Sequence, residues 1–111
     1  RTMKLSRIED TIGGWFVGNF DKAAYRTDAC EVSYKYHHKG EHWPTHYQEK
    51  IIEINLMVRG QMKMQDKILL SGDIFIIYPY EIADPEFLTD CEVVCVKVPG
   101  ITNDKVTVQK I

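Results

Sequence analysis

The sequence predicts an all-β fold, an antiparallel double-stranded jelly-roll β-barrel, in a single domain over residues 1–111. Alternating or wholly apolar segments give about nine or ten short strands, separated by regular turns. Helical character is almost absent and is limited to a short turn around Lys22. A chain of 111 residues can bury one core but has no room for a second domain. Many short strands with almost no helix indicate packed antiparallel sheets.

Charge and hydropathy exclude two classes of partner. The 14 Lys and Arg residues nearly balance the 16 Asp and Glu residues, and the two signs are mixed along the chain. We therefore expect neither a nucleic-acid partner nor a membrane partner. The longest apolar runs, such as residues 74–78, are far shorter than the roughly 20 residues that a spanning helix needs. No signal-peptide pattern precedes Ser6, so we expect a soluble, cytoplasmic protein.

The three cysteines are consistent with a reducing compartment. On one strand, Cys91 and Cys95 would lie about 13 Å apart at roughly 3.3 Å per residue, beyond the roughly 7 Å limit for a disulfide. Cys30 makes the number odd, and no metal-ligand spacing is present. Reduced, buried thiols are the expectation.

The first elements of the chain are an edge strand and an aromatic cluster. Residues 3–9 are predicted to form the edge strand. Residues 15–20 contain three aromatic side chains between glycines, and such a segment must be buried. Its rings either close one end of the fold or stack on a substrate, and apolar aromatics are more often buried than used for ligands.

The next strand, residues 30–37, alternates between an apolar and a polar face. The apolar face carries Cys30, Val32, Tyr34 and Tyr36, and the polar face carries Glu31, Ser33, Lys35 and His37. This pattern is typical of a half-buried strand. We expect the polar face in solvent, which makes His37 a solvated histidine. Residues 39–41 form a turn, and Pro44 favours an extended chain before the next strand.

Residues 52–59 also alternate, with an aliphatic row opposed by a more polar one. The aliphatic row is Ile52, Ile54, Leu56 and Val58, and the opposing row is Glu53, Asn55, Met57 and Arg59. Either row could face the interior. If Glu53 points inward, the aliphatic row needs a cover, supplied by a second subunit or by the N-terminal strand. A homodimer is therefore expected; if the aliphatic row is the core, Glu53 is a surface carboxylate.

The remaining segments complete the strand count. Residues 61–64 and 67–70 form a hairpin around a two-residue turn, Gln65-Asp66. Residues 74–78 and 91–98 are apolar enough to be strands buried on both faces, with a loop at 79–90 between them. Residues 105–110 form a last, charged edge strand.

Possible ligands are concentrated within residues 40–60. His46 and Gln48 are two residues apart, so their side chains leave the same face of an extended strand. Glu53 lies at an odd offset from Gln48. The three side chains converge only if the chain turns near residues 49–50 and Glu53 lies on the next strand.

This spacing resembles the first motif of the cupin superfamily, in which a glycine and five residues lead to His-x-His, then to a glutamate and, six residues later, to a glycine. The sequence reads Gly40-x5-His46-x-Gln48-x4-Glu53-x6-Gly60, with glutamine in place of the second histidine. The final glycine suits a turn that needs a positive φ. The resemblance covers roughly residues 30–98 and implies a small single-domain cupin of the conserved-barrel type.

The second cupin motif is weaker. Within residues 72–87, only Gly72 and a proline one place late, Pro79, match the superfamily pattern. Ala83 occupies the position of the last histidine, and Phe87 that of the asparagine. The resemblance therefore implies a degenerate metal motif.

The resemblance also implies where a metal would bind. Cupins that use a metal hold a divalent ion with three histidines and a glutamate, which here corresponds to His46, Gln48 and Glu53, with zinc, nickel, iron or manganese as the candidate ion. The sequence names no certain cofactor, because alanine cannot ligate and a carboxamide is a weak donor. A third strong ligand could come from Asp84, His42 or Glu81.

Without a metal, the mouth of a β-barrel is still a natural concave site for a small molecule. The predicted substrate-binding residues are His42, Trp43, Gln48 and Tyr80. His46 is the predicted general base near neutral pH, with Tyr36 or Tyr78 as the acid.

The sequence leaves more than one function open. The first is a cupin that binds a polar organic ligand, of unassigned identity, in the barrel mouth. The alternatives are an enzyme similar to metal-independent nucleotide-sugar isomerases and epimerases, or a weakly metal-dependent lyase or isomerase. A dioxygenase is disfavoured, because oxygen activation needs a firmly held redox metal.

Overall fold

The computed structural model describes residues 1–109, and within that range the chain is almost entirely β-structure. One 3₁₀ turn, Ile8–Asp10, precedes the strands. The strands are β1 (Trp15–Val17), β2 (Glu31–His37), β3 (His46–Gln48), β4 (Ile52–Arg59), β5 (Met62–Met64), β6 (Lys67–Leu69), β7 (Ile74–Ile77), β8 (Glu86–Phe87), β9 (Cys91–Val98) and β10 (Lys105–Thr107). The predicted all-β class is confirmed.

The strands form one large sheet and two small ones. The large sheet has the order β1-β2-β9-β4-β7, and every pairing in it is antiparallel. The small sheets are β10-β3 and β6-β5-β8. Residues from all three sheets line a single cavity, so the small sheets form the layer that faces the large one. This arrangement is the predicted double-sheet jelly roll.

The burial of β4 shows which of its two rows faces the barrel interior. Glu53 and Asn55 are 9% and 5% exposed, whereas Ile54 and Leu56 are each 38% exposed. The more polar row therefore points inward, as the first of the two alternatives for this strand requires. The aliphatic row lies on the outer face of the large sheet.

The polar face of β2 also points inward, so its expected exposure to solvent was wrong. Glu31 and His37 are buried and Lys35 is half-buried, whereas Tyr36 is half exposed. Alternation divides a strand into two faces but does not say which one meets the opposing layer. Here the opposing layer encloses a polar cavity, and the apolar face of β2 joins the outer surface of the sheet.

That outer surface is a continuous apolar layer across four strands. The register places Val32, Val96, Ile54 and Ile76 in one row, and Tyr34, Val94, Leu56 and Ile74 in the next. The prediction that residues 74–78 are buried on both faces was wrong, because Ile74 and Ile76 are 70% and 44% exposed. Strand β7 is apolar on both faces because its outer side belongs to this layer.

The N-terminal segment does not cover the outer layer. Residues 3–9 form no strand, and Met3 and Leu5 are 90% and 86% exposed. The predicted edge strand was therefore wrong. A segment with few apolar side chains and no partner strand gains too little burial to become ordered on the sheet.

The hairpin and its neighbouring turn follow the sequence prediction. Strands β5 and β6 pair around Gln65 and Asp66, whose φ angles are 50° and 61°. Two successive positive φ angles are typical of a two-residue hairpin turn. Gly60 has a φ of 96°, and a Cβ atom there would collide with the carbonyl oxygen of Asp90. Only glycine fits such a position without strain.

The last two predicted segments differ in detail from the structure. The loop at 79–90 contains the short strand Glu86–Phe87, which pairs with β5. The predicted edge strand at 105–110 is present as Lys105–Thr107, and its end at Lys110 lies outside the described residues. Among the described residues, no helix is long and apolar enough to span a membrane.

The apolar core lies beside the cavity and continues into its wall. It is built from Met57, Met62, Met64, Ile77, Ala83, Phe87, Cys91 and Val93. Several of these side chains also line the cavity. The interior of the barrel therefore has an apolar part, which holds the two layers together, and a polar part, which is open to a ligand.

Candidate functional site

The candidate site is a cavity of about 470 Å³ inside the barrel. This volume falls within the range of roughly 300–1,000 Å³ that is usual for small-molecule sites. Its polar lining includes Glu31, Lys35, His37, His46, Gln48, Glu53, Asn55, Lys97 and Lys105, and its aromatic lining includes Trp15, Phe20 and Trp43. Charged side chains from four strands therefore face one cavity, which is open on one side.

The three motif residues of the first cupin-like segment lie together in this cavity. His46 and Gln48 are 8% and 4% exposed, and both lie on β3. Glu53 lies on β4, and its Oε1 atom accepts a hydrogen bond of 3.4 Å from Gln48 Nε2. The chain turns between these strands, as the odd offset of Glu53 requires.

Asp104 holds that turn in place. One oxygen of its carboxylate accepts hydrogen bonds from the backbone N–H groups of Glu49, Lys50 and Ile51, at 3.0, 2.8 and 3.0 Å. Asp104 is 8% exposed. A carboxylate that accepts several backbone N–H bonds satisfies donors that the tight turn would otherwise leave unpaired. Sequence reasoning missed this residue, because its partners lie more than 50 positions earlier in the chain.

The backbone fixes the proton of His46 on one ring nitrogen. Nδ1 lies 2.8 Å from the carbonyl oxygen of Pro44, which can only accept a hydrogen bond, so Nδ1 donates. The other nitrogen, Nε2, is left with a free lone pair. Burial lowers the pKa of His46, and the hydrogen bond to Pro44 only partly opposes this effect. At neutral pH, His46 is therefore a neutral ring that can accept a proton or a hydrogen bond.

Ala83 lies directly opposite His46. The two residues exchange backbone hydrogen bonds of 3.0 and 2.7 Å, and Ala83 is 4% exposed and lines the cavity. The position that corresponds to the last cupin histidine is thus where the motif alignment puts it, but it carries a methyl group. This wall of the cavity offers no ligand atom to a metal.

The residues present do not fit a tightly bound divalent metal. Among the described residues, no group of three His, Cys, Asp or Glu side chains is close enough to hold an ion. One imidazole, one carboxamide and one carboxylate remain, and the carboxylate of Glu53 already contacts the Gln48 amide and the Lys97 ammonium. An ammonium at that distance competes with a cation for the same charge.

The replacement ligands suggested by the sequence are engaged elsewhere. Asp84 Oδ1 accepts a hydrogen bond of 2.9 Å from the Gln65 N–H, and Glu81 Oε1 accepts one of 2.8 Å from the Tyr78 N–H. His42 is exposed and does not line the cavity. None of these three residues lines the cavity beside His46, Gln48 and Glu53.

Glu53 and Glu31 flank Lys97 in one row across the large sheet. The register pairs Lys97 with Glu31 on one side and with Glu53 on the other. Lys97 Nζ lies 3.9 Å from Glu53 Oε1, and both side chains are largely buried. Burial raises the pKa of Glu31, and the charge of Lys97 opposes the rise. Because the positive and negative side chains of this row have fixed positions, they fix the direction of the electric field in the cavity.

Three lysine ammoniums surround two tryptophan rings. The Nζ atoms of Lys97 and Lys35 lie 4.9 and 5.3 Å from the ring centre of Trp15. The Nζ atoms of Lys35 and Lys105 lie 5.3 and 5.1 Å from the ring centre of Trp43. These distances are within the range of cation–π contacts. Burial, followed by the like charge of Lys97, lowers the pKa of both Lys35 and Lys105.

Two buried side chains that line the cavity carry a polar atom without a partner. They are the Gln48 Oε1 atom, an acceptor, and the Asn55 Nδ2 atom, a donor. Ser33 Oγ is a third such atom, in the same cross-strand row as Asn55 and on the other side of Cys95. A buried polar atom left without a hydrogen bond destabilises the fold by roughly 1–3 kcal/mol. Such atoms are expected where a ligand or water completes the site.

His37 belongs to a network at the edge of the same cavity. Its Nδ1 atom lies 2.5 Å from Glu41 Oε2, and the same oxygen accepts a hydrogen bond of 2.6 Å from Trp43 Nε1. The His37 ring also stacks on Phe87 at 4.3 Å between ring centres. Burial acts to raise the pKa of Glu41, but its hydrogen bonds from His37 and Trp43 outweigh this and lower it. This network fixes the orientation of Trp43.

The structure does not bring the predicted tyrosines into the cavity. Tyr36, Tyr78 and Tyr80 are 50%, 53% and 65% exposed, and none of them lines the cavity. Tyr36 points to the outer face because it lies on the apolar side of β2. Tyr80 stacks on Tyr47, with 5.6 Å between ring centres. The predicted acids, Tyr36 and Tyr78, and the predicted binding residues Tyr80 and His42 therefore do not line this cavity, whereas Trp43, Gln48 and His46 do.

Sequence reasoning did not predict that Lys35, Lys97 and Lys105 line the cavity. For Trp15, it favoured a buried structural role over contact with a ligand. A weak indication was present, because Lys97 is the only basic residue within residues 91–98. A charge inside such an apolar strand is unusual unless it is paired or functional. For Lys35 and Lys105, the sequence offered no comparable indication.

Comparison with solved structures identifies the fold. A double-stranded β-helix protein from Klebsiella pneumoniae subsp. pneumoniae, described as uncharacterized, is 19% identical, with a TM-score of 0.66 over 76% of this chain and 74% of that one. A cupin-2 domain protein from Shewanella frigidimarina is 13% identical, with a TM-score of 0.54 over 65% and 72%. The DMSP lyase DddQ from Ruegeria pomeroyi is 15% identical, with a TM-score of 0.63 over 84% of this chain and 49% of that one.

These similarities define the class of protein. The chain has a cupin-type fold, the double-stranded β-helix, and the sequence resemblance is confirmed at the level of the fold. No family model matches the chain, and no curated protein matches it. Sequence identities of this size show a shared fold and nothing more, so the function has to be argued from the cavity itself.

Proposed function

We propose that the barrel cavity binds a small polar organic molecule. The observation that carries this proposal is the pair of buried, unpartnered polar atoms, Gln48 Oε1 and Asn55 Nδ2, in a cavity of about 470 Å³. A ligand with both a hydrogen-bond donor and an acceptor would satisfy them. The aromatic rings of Trp15 and Trp43 would contact the apolar part of the same ligand.

A binding screen with matched variants tests this proposal. Thermal shift over polar small molecules, followed by tryptophan fluorescence titration, should identify compounds that stabilise the protein. Asn55→Ala and Gln48→Ala should each weaken binding at least tenfold, because a hydrogen bond between the ligand and a buried amide is lost. Gln109→Ala, at an exposed position, is the control and should leave binding unchanged.

The free proteins provide a second readout. If Asn55 binds a ligand, its unpartnered Nδ2 atom destabilises the unliganded protein. Asn55→Ala should then not lower the melting temperature. If Asn55→Ala lowers stability strongly and no compound binds the wild-type protein, the cavity is a structural void and the proposal fails.

A second candidate function is acid–base catalysis without a metal, as in an isomerase or epimerase. The observation that favours it is the fixed tautomer of His46, whose free Nε2 can act as a general base. The tyrosines expected to act as acids are outside the cavity, so the acid would be the Lys105 ammonium, whose positive charge contributes to the low pKa of His46. A positioned base or acid contributes typically 10² to 10⁴-fold.

Turnover separates this candidate from a pure binding protein. With any ligand from the screen, exchange of a carbon-bound hydrogen for deuterium, followed by NMR, would report proton abstraction. His46→Gln should abolish the exchange while ligand binding remains within about threefold. Binding without exchange in the wild-type protein identifies a binding module.

A weakly metal-dependent lyase is the remaining alternative. One of the similar structures is a DMSP lyase, so lyase activity has a precedent within this fold. The donor set of this chain argues against a firmly held ion, so such an enzyme would depend on His46 and the lysines for proton transfer. The same turnover assay, with and without added divalent metal, distinguishes it from the metal-independent case.

The thiols support a reducing compartment, and we propose the cytoplasm. Cys30, Cys91 and Cys95 are all free. Burial raises the pKa of the Cys95 thiol to about 12, which keeps it protonated and inert. Reporter fusions in the native cell would test this location.

A further inference from the structure

The lysines of the cavity have few counter-ions, although Lys35 and Lys97 are partly buried and only Lys105 is exposed. Within residues 1–109, neither the ion pairs nor the hydrogen bonds engage Nζ of Lys35 or Lys105, and Lys97 has one carboxylate contact, to Glu53 at 3.9 Å. Lys35 is half-buried, between two tryptophan rings. A charge removed from water is stable only when it is paired.

The neighbouring carboxylates do not neutralise this cluster. Glu41 makes its hydrogen bonds with His37 and Trp43, and Glu31 forms no ion pair with a lysine among the described residues. Glu53 is the one carboxylate that forms an ion pair with this cluster in the described part of the chain, and it contacts Lys97. Like charges that are grouped around two shared rings repel one another, and the cavity is therefore electropositive next to Trp15 and Trp43.

Cation–π contacts alone do not explain the cluster. A contact of this kind stabilises by roughly 0.5–2 kcal/mol, and a single lysine on each ring would provide it. Here each ring is approached by two ammoniums. A purely structural arrangement would gain by placing a neutral side chain at one of these positions.

We infer that the ligand of the cavity carries an anionic group, a carboxylate or a phosphate, bound among Lys35, Lys97 and Lys105. This inference rests on the proposed function and names its ligand class. An anion at this point pairs the free ammoniums of Lys35 and Lys105 and reduces the repulsion among all three lysines. The remaining part of the ligand lies against the tryptophan rings and deeper in the cavity.

The unpartnered polar atoms define the rest of that ligand. Gln48 Oε1 accepts from a hydroxyl group, and Asn55 Nδ2 donates to an oxygen. Both belong to the strands that carry the inward-facing motif residues, whereas two of the lysines come from β2 and β9. A small hydroxylated acid or hydroxylated phosphate ester matches the anionic and hydroxyl requirements together.

Matched compounds test the charge independently of the rest of the ligand. The probes are D-gluconate, sorbitol and sorbitol 6-phosphate, together with D-glycerate, glycerol and glycerol 3-phosphate. Isothermal titration at low salt should give a dissociation constant for at least one anion that is at least tenfold lower than that of its neutral alcohol. The carboxylate and phosphate arms identify which anion the site prefers, and either one supports the inference.

Lysine variants assign the binding to this cluster. Lys35→Met and Lys105→Met should each weaken anion binding at least tenfold, while Lys67→Met, an exposed lysine on β6, should not. Without ligand, Lys35→Met should raise the melting temperature by roughly 2–5 °C, because it removes a half-buried like charge. A destabilised Lys35→Met protein that still binds the anion would show that the lysine is structural and would overturn the inference.

The possible results distinguish a failure of the anion assignment from a failure of the proposed small-molecule binding. Equal binding of an alcohol and its acid would overturn the anion assignment and leave small-molecule binding in place. If neither the probes nor the broader polar screen bind, the proposed function fails as well.

Discussion

Lys97 Nζ lies 3.9 Å from Glu53 Oε1, and the two residues are directly paired between strands β9 and β4. The glutamate occupies the position that a metal-binding cupin motif assigns to its carboxylate. In this chain, an ammonium on the neighbouring strand supplies the positive charge beside it. The charge beside Glu53 is therefore built into the sheet.

The Glu53→Gln substitution should destabilise the protein, by roughly 3 kcal/mol. Breaking a largely buried pair leaves one charge poorly compensated, and the remaining Lys97 would face Lys35 and Lys105 with only Glu31 beside it in its cross-strand row. The free energy of unfolding in urea measures the loss. The double substitution Glu53→Gln/Lys97→Met should recover most of it. An unchanged stability in Glu53→Gln would show that the pair is solvated and energetically neutral.

Stability should fall with acidity in a window set by His46. Its pKa in the folded protein is below the ordinary 6.5, because the ring is buried and lies near the charges of Lys105 and Lys97, with Glu53 opposing them. The unfolded chain therefore binds more protons in that range, so the stability due to His46 is complete above about pH 6.5 and is lost as the pH falls through the folded pKa. The difference in unfolding free energy between wild type and His46→Gln should shrink on acidification from pH 7 to pH 5. A constant difference would contradict the assignment.

Metal binding should be weak and should depend on His46. One imidazole and a carboxylate shared with Lys97 offer few strong donors. Titration with zinc or nickel should show at most micromolar affinity, and His46→Ala should abolish it. A chelator should leave the melting temperature of the wild-type protein unchanged. Sub-nanomolar affinity, or affinity indifferent to His46→Ala, would mean that the metal site is elsewhere.

We propose that a second copy of the chain covers the outer face of the large sheet. The two rows are apolar apart from the Tyr34 hydroxyl, and the four strands that carry them, of up to eight residues each, present a face of roughly 500 Å² in outline. A standard interface buries roughly 800 Å² per partner, so this face would supply the larger part of one. An apolar face whose charged residue Glu92 lies near the end of β9 matches itself around a two-fold axis.

The oligomeric state tests that proposal directly. Light scattering at micromolar concentration should give the mass of a dimer. Leu56→Lys, in the middle of the face, should give a monomer, because a charge would be buried at the interface. Ile68→Lys, at an exposed apolar position on β6, should remain dimeric. A monomeric wild-type protein would contradict the proposal.

Local patterns were sufficient to predict the class of fold and part of the site. Period-two alternation predicted the strands, the positive-φ turn at Gly60 was readable from residue type, the two-residue turn at Gln65-Asp66 followed from the spacing of its strands, and motif spacing placed His46, Gln48 and Glu53 in one group. These properties depend on neighbours within a few positions, where side-chain direction and backbone sterics are fixed by local geometry.

The tertiary structure alone decided which faces point inward and which distant residues meet. Alternation cannot distinguish inside from outside when the interior is polar, and for this reason Tyr36 was expected at the site and His37 in solvent. Lys35, Lys97 and Lys105 lie on three strands, and their convergence depends on the register of β2 with β9 and on the layer that carries β10. Register across a sheet is set by the packing of whole faces, and no local pattern in the chain records it.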